Sequence, residues 1–164
     1  MNTDGLKTSP EPNGAGDETK PDEDSHEQPP ITYRSVRNVF LERFPDLWER
    51  IERKYAPHYN LKTQIPGTYP LFEEILKPRV IELLEFGADH DSLKHIFSFY
   101  EEMASSRDQE IVNLLWKSIL EPLASDKKLS ATAWKYMGEK TKTLTREIAI
   151  LRGWEGNLPA DAQA

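Results

Sequence analysis

Apolar residues recur every three or four positions along most of this chain, and that helical period constrains its fold more than any other feature. The pattern extends from residue 31 to residue 152 in several separate segments. No segment alternates apolar and polar side chains over five or more residues with turns on both sides, as a half-buried strand would. The sequence therefore predicts an all-α fold.

The apolar segments divide into about seven helices. Two short helices meet at Pro45, and a loop is predicted over residues 56–70 because it has turn residues and no sustained period. The next helix begins at Pro70, and its apolar stripe passes through Pro78. A kink is expected there because proline removes a backbone donor. The remaining helices are predicted over residues 91–104, 107–123, 130–138 and 140–154.

Spacing also predicts which side chains face inward and which residues begin a helix. In the last helix, Leu144, Ile148 and Leu151 recur at helical spacing and are predicted to face the core. Short polar side chains immediately before an apolar stripe favour the N-cap position, where they accept a bond from a free backbone N–H. The predicted N-caps are Thr32, Asp91, Ser106 and Ser130.

Two of the helices contain a near-echo, SFYEEMAS at 98–105 and SILEPLAS at 118–125, offset by twenty residues. The connection between these helices is only two or three residues long, so they should be antiparallel neighbours. One architecture that fits is a stack of helical hairpins like those of HEAT repeats. The other is a plain compact bundle, and the sequence leaves both open for this single domain.

The two ends of the chain differ from the middle. Residues 1–30 contain eight acidic residues and two lysines, with Met1 and Leu6 as their only large apolar side chains. Such a segment buries too little apolar surface to offset the entropy lost on ordering, so we predict a disordered acidic tail. The all-α domain is predicted over residues 31–155. The last residues, 156–164, are predicted to be a disordered C-terminal tail.

Composition limits the compartment and the chemistry. The chain contains no cysteine, which excludes disulfides and thiolate sites. It has no run of 18 apolar residues that could cross a bilayer, and its polar N-terminus lacks the apolar segment of a secretory signal. We therefore expect a soluble cytoplasmic protein that does not associate with membranes.

Charge is distributed in three blocks. Residues 71–126 contain twelve acidic and five basic side chains, whereas residues 31–70 and residues 127–164 each contain seven basic and four acidic ones. An acidic block repels phosphate backbones, so nucleic acid is not expected as a ligand. The charge instead predicts a basic protein partner for the middle block.

The predicted partner-binding surface lies on the two helices of the echo. Acidic side chains there would attract a basic partner, and a tryptophan is the type of residue that often anchors an interface. Glu101 and Glu121 occupy matching positions of the echo and are expected on one exposed ridge. For Trp116 the alternative is packing against the next helix. The predicted binding residues are Glu101, Glu102, Asp108, Glu110, Glu121 and Trp116.

No catalytic residue, cofactor or metal site is predicted, because the sequence contains none of the common nucleophile, phosphate-loop or zinc motifs. His90 and His95 are five residues apart, whereas a metal-binding pair on one helix face needs a spacing of three or four. The enzyme alternative places a catalytic base at His58, in the 56–70 loop, since long ordered loops often carry function.

The segments IFSFYEEM, SILEPLA and YMGEKT resemble a small bacterial family of uncharacterised helical proteins, over about residues 70–148. Small acidic helical proteins of this type also resemble the immunity proteins of bacterial polymorphic toxin systems. The resemblance implies a non-catalytic inhibitor that binds a basic toxin domain through an acidic helical face. A scaffold or oligomeric helical protein without a toxin partner is the alternative.

Overall fold

The computed structural model describes residues 29–87 and 89–163, and in these ranges the chain forms seven helices and no strand. The prediction of an all-α domain with about seven helices is confirmed. The predicted acidic tail lies outside the described residues, except for the exposed Pro29 and Pro30. The helices are α1 (Tyr33–Arg43), α2 (Trp48–Tyr55), α3 (68–86), α4 (His90–Ala104), α5 (109–124), α6 (Lys127–Trp134) and α7 (Glu139–Arg152).

Two of these helices, α3 and α5, contain a π-helical turn, in which backbone hydrogen bonds reach back five residues instead of four. The two π-turns pack against each other in the interior of the domain. Helix α3 consists of Thr68–Pro70, the π-turn Leu71–Leu76 and Lys77–Phe86, and α5 consists of Gln109–Leu115, the π-turn Trp116–Leu120 and Glu121–Ala124.

Each π-turn ends two residues before a proline. In α3 the N–H of Lys77 donates to the carbonyl of Phe72, and Pro78 follows. In α5 the same arrangement precedes Pro122. A proline ring collides with the carbonyl one turn earlier and offers no N–H, so a wider turn lets the helix continue past it. At Pro78, where the sequence predicted a kink, the structure has a π-turn that ends two residues before the proline.

The packing identifies the architecture as a compact bundle. Helix α1 packs against α5, and α7 packs against both α4 and α5. In a stack of repeats each hairpin contacts only its neighbours in the chain, whereas the contact between α1 and α5 passes over three intervening helices. The buried side chains form one core that includes residues of all seven helices. Of the two architectures that the sequence left open, the bundle is the one observed.

Helix α4 supplies the centre of that core. It begins after Asp89, whose carboxylate accepts a bond from the N–H of Ser92 at 3.0 Å. Apolar residues on three of its sides are buried, because α4 lies between α3, α5 and α7. The buried side chains of α4 are Leu93, Ile96, Phe97, Phe99, Tyr100 and Met103.

The C-terminal residues up to 163 differ from the predicted disordered tail. They form two short 3₁₀ turns that pack back onto the domain, and Leu158 and Ala162 are only 5% and 3% exposed. The Asn157 side chain donates to the carbonyl of Ala124 at 3.1 Å and so satisfies the C-terminal end of α5. The sequence contains little indication of this packing, because Leu158 is the single large apolar residue of the segment.

No helix among residues 29–87 and 89–163 combines the length and the apolar composition that crossing a membrane requires.

Candidate functional site

Glu101, the first of the predicted binding residues, caps another helix of the same molecule. Its carboxylate accepts hydrogen bonds from the N–H groups of Lys140 at 2.7 Å and Thr141 at 2.9 Å, and from the Thr141 hydroxyl at 2.7 Å. Helix α7 begins at Glu139, and its N-cap residue Gly138 has no side chain that could accept these bonds. Glu101 of α4 therefore takes the N-cap role for α7.

This contact explains the YMGEKT segment. A Cβ atom at Gly138 would collide with the carboxylate of Glu101, and only movement of that carboxylate away from its donors would relieve the collision. Met137 is buried on one side of the glycine, and Thr141 is fully buried on the other. The segment therefore encodes a structural joint between α4 and α7.

The electrostatics of the joint keep Glu101 ionised. Burial alone raises the pKa of its carboxyl, but the bonds from the Thr141 hydroxyl and from the N–H groups of Thr141 and Lys140 outweigh burial, so the pKa is lowered overall. The positive end of the α7 dipole acts in the same direction. Glu101 is thus an anion at neutral pH, with its charge already engaged inside the molecule.

Glu102 and Glu121 form ion pairs within the chain. Both oxygens of Glu102 accept bonds from Arg43, at 2.6 and 2.8 Å, and Glu121 lies 2.7 Å from Arg152. The two arginines end α1 and α7, so each pair also places a cation at a helix C-terminus, where the dipole favours it.

The predicted ridge that joins Glu101 and Glu121 does not form. Glu101 binds the first turn of α7, whereas Glu121 binds Arg152 at the other end of that helix. Twelve residues separate Lys140 from Arg152, which corresponds to about 18 Å along a helix. Because α4 and α5 are antiparallel, Glu101 and Glu121 lie at opposite ends of α7.

Asp108 is also engaged internally. It is the N-cap of α5 and accepts a bond from the N–H of Glu110 at 3.0 Å. Its second oxygen accepts a bond from the N–H of Tyr33 at 2.8 Å. One carboxylate therefore caps α5 and holds the start of α1 beside it.

The three charge blocks of the sequence thus neutralise one another across the fold. Acidic side chains of residues 71–126 bind basic side chains of the two flanking blocks, and others cap helices. Much of the charge from which a basic partner was predicted is therefore used within the domain. The pairs between blocks are Glu74 with Lys54, Glu82 with Arg50, Glu102 with Arg43 and Glu121 with Arg152, and the caps are Asp89, Glu101, Asp108 and Asp126.

Of the other two predicted residues, Trp116 lines a surface groove and Glu110 lines a recess that adjoins it. The groove lies between α5 and α7, encloses about 410 Å³ and has Trp116 in its wall, partly buried against the core. Apolar and charged side chains both line this groove. Apolar residues of α5 and α7 face each other across it, and charged residues lie among them. The lining includes Val112, Trp116, Lys117, Leu144, Glu147 and Leu151.

The groove continues into a recess of about 260 Å³ near the start of α5, which we call the tyrosine recess. It shares Asn113 and Lys117 with the groove and is also lined by Tyr33, Tyr69 and Glu110. The Tyr33 and Tyr69 ring centroids are 6.3 Å apart, with the ring planes tilted by 48°.

Sequence reasoning missed part of this surface because it placed Leu151 in the core. Ile148 is fully buried as predicted, but Leu151 is 69% exposed and the adjacent Ile150 is 66% exposed. The adjacent apolar residues Ile150 and Leu151 at the end of α7 could have indicated an exposed apolar surface. A helix cannot bury both of them together with Ile148 on a narrow stripe.

The histidines are not brought together. His58 is exposed and its side chain has no hydrogen-bond partner among the described residues. His90 contacts the hydroxyl of Tyr136, and His95 lies 3.0 Å from the carbonyl oxygen of Arg43. Within the part of the chain that the structure describes, no three side chains suited to a metal ion cluster.

Fold and surface together define a small helical-bundle domain with internally paired charges and an amphipathic groove. The chain belongs to the family described as Domain of unknown function (DUF7674), which matches residues 37–155. No curated protein and no solved structure matches the chain. The membership agrees with the uncharacterised family expected from the sequence, and nothing in these comparisons indicates an immunity protein.

Proposed function

We propose that this protein is a non-catalytic protein-binding module that receives an amphipathic helix of its partner in the groove between α5 and α7. The observation that carries the proposal is the opposed pair of apolar edges, with Val112 and Trp116 on one helix and Leu144 and Leu151 on the other. A groove of this kind matches the mode in which a helix inserts its apolar face between two helices.

The spacing of the lining residues suits a helical ligand. On α7, Leu144, Glu147 and Leu151 are three and four residues apart and so lie on one face. On α5, Val112 and Trp116 are four residues apart and form the facing edge. The edge on α7 is about 10 Å long, which corresponds to about two turns of a partner helix.

Energetics also favour an occupant. Leu151 exposes most of its surface to water, and complete burial of such a side chain contributes about 1.5–3 kcal/mol. Trp116 adds a large aromatic surface that is already held in place by the core. Rigid aromatic residues at the centre of a groove are the usual anchors of protein interfaces.

The proposal changes the interface that the sequence predicted. Trp116 stays in it and Glu110 lines the adjoining recess, whereas Glu101, Glu102, Asp108 and Glu121 have structural partners. An immunity-type inhibitor of a toxin domain in the cytoplasm is the narrower form of the proposal. It requires a toxin domain as the partner that occupies the groove.

Affinity capture from the native cells tests the proposal with three variants. Wild-type protein should retain a stoichiometric partner, and Leu151→Ser and Trp116→Ala should lose it. Phe86→Ser is the matched control, because Phe86 is 77% exposed and does not line the groove. Circular dichroism confirms that each variant is folded.

Two results would refute the proposal. A partner that remains bound to both groove variants would place the interface elsewhere. Self-association in light scattering that Leu151→Ser abolishes, without any other partner, would assign the groove to an oligomeric scaffold instead.

A further inference from the structure

The tyrosine recess differs in character from the rest of the groove. Two tyrosines, Tyr33 and Tyr69, line it together with Glu110. Aromatic faces carry negative charge at their centres and attract cations, most strongly where a carboxylate lies nearby. We propose that this recess binds a cationic side chain, an arginine or a lysine, presented by the partner helix, an inference that rests on the proposed function.

The fold itself holds the two tyrosines of the recess in place. Tyr33 is the first residue of α1, and its N–H is held by Asp108 at 2.8 Å. Tyr69 lies in the first turn of α3 and packs against the core. Because both tyrosines lie in helices and pack against the core, a ligand would bind without first ordering a loop, which lowers the entropic cost of binding.

Two carboxylates act on Tyr69, in addition to burial and the neighbouring tyrosine. Burial, the neighbouring Tyr33, and the charges of Glu73 and Glu110 all raise the pKa of the Tyr69 hydroxyl. Glu110 has no ion pair among the described residues, so a guest cation would be its first partner there. Neither tyrosine hydroxyl bonds another described residue, which leaves both oxygens able to accept bonds from a guanidinium or ammonium group.

Two features oppose a cation beside Glu110, the carboxylate that lines the recess. Helix N-termini favour anions, but Asp108 already bonds the first N–H groups of both α1 and α5 and supplies the negative charge that their dipoles attract. Lys117 lines the recess, yet its side chain is exposed and it lies seven residues from Glu110 on α5. That spacing corresponds to about 10 Å, which lets the lysine turn away into solvent.

A small-molecule titration tests the recess without the partner. N-acetyl-arginine amide is added to the full chain while backbone amide chemical shifts are followed by NMR, and N-acetyl-citrulline amide serves as the neutral isostere. We expect saturable shifts at Tyr33, Tyr69 and Asn113 with arginine only, and a Kd of about 1–10 mM. Raising the salt concentration should weaken the binding.

Variants that remove a charge from the recess should change its affinity for arginine in opposite directions, depending on the sign of the charge removed. Glu110→Gln should weaken arginine binding about two- to five-fold, whereas Lys117→Gln should strengthen it by about two-fold. Tyr69→Leu should weaken it about three-fold, because a cation–π contact is lost. Glu139→Gln is the matched control for charge, since Glu139 is exposed at the start of another helix, and it should leave the affinity unchanged.

Three outcomes would overturn the inference. Equal shifts with citrulline would show that charge is not recognised. Tighter binding in Glu110→Gln together with weaker binding in Lys117→Gln would identify an anion site instead. No saturable shifts with arginine would end the inference while leaving the groove proposal intact, because partner capture and its Leu151→Ser variant do not depend on this probe.

Discussion

The joint between α4 and α7 makes a sharp prediction, because one carboxylate from a distant part of the chain accepts three hydrogen bonds. Replacement of Glu101 by alanine removes the acceptor for the N–H groups of Lys140 and Thr141 and for the Thr141 hydroxyl. Lys140 is exposed and can bond water, but Thr141 is fully buried and cannot.

The size of the loss follows from these environments. Removal of an N-cap acceptor costs about 1 kcal/mol. Leaving the buried donors of Thr141 without a partner adds about 1–3 kcal/mol. We therefore expect Glu101→Ala to lower the free energy of unfolding by about 2–4 kcal/mol, and the Tm of a domain of this size by about 10 °C.

Urea denaturation of wild type and variant at several pH values measures the effect. Because the folded pKa of Glu101 lies below that of the unfolded chain, its stabilising contribution is complete above about pH 4.3. The contribution is then lost as pH falls through the folded pKa. The stability difference between wild type and Glu101→Gln should accordingly shrink below about pH 4.

Glu139→Ala is the control for the general effect of negative charge at this helix end, and it should cost about 0.5 kcal/mol or less. Glu139 lies in the first turn of α7 and is exposed. Equal losses for Glu101→Ala and Glu139→Ala would refute the reasoning, since they would show that the three bonds contribute nothing beyond charge. A difference that does not vary with pH would contradict the role of the ionised carboxylate.

Three further predictions concern the same fold. Gly138→Ala should destabilise the domain by about 1–3 kcal/mol, and by much less when Glu101 is already alanine. A double-mutant cycle in urea would show this difference as coupling between the two residues, whereas additive losses would contradict the collision. Glu102→Gln should cost only about 1 kcal/mol, because Glu102 is partly exposed, and a much larger loss in Tm would be inconsistent with a surface pair. Leu158→Ala should lower stability by about 2–4 kcal/mol, and an unchanged urea midpoint would show that the C-terminal segment does not hold the core.

Much of the fold could be predicted because helix formation depends on residues close together in the chain. The apolar stripes identified the helical segments, and Thr32 is the N-cap of α1 as predicted. Helix starts were less exact. Helix α4 is capped by Asp89 and not by Asp91, and α6 is capped by Asp126 and not by Ser130. In each case several short polar residues compete for one position, and packing decides among them.

The binding surface was not predictable in the same way. Arg43 and Glu102 are 59 residues apart, and Glu101 and Thr141 are 40 apart, so no local pattern reveals that they are partners. Acidic residues that read as a free surface therefore proved to be caps and ion pairs. The groove depends on how far α7 is rotated against α4 and α5, and that rotation decides that Ile148 is buried and Leu151 exposed.

The amino-acid sequence by itself determined that this protein is all-α, where most of its helices lie and that its middle is acidic. These properties follow from periodicity and composition, which act within a few residues along the chain. Only the tertiary structure decided which charges are neutralised and which apolar side chains stay exposed. The physical reason is that such partners come from distant segments and meet only when the helices pack.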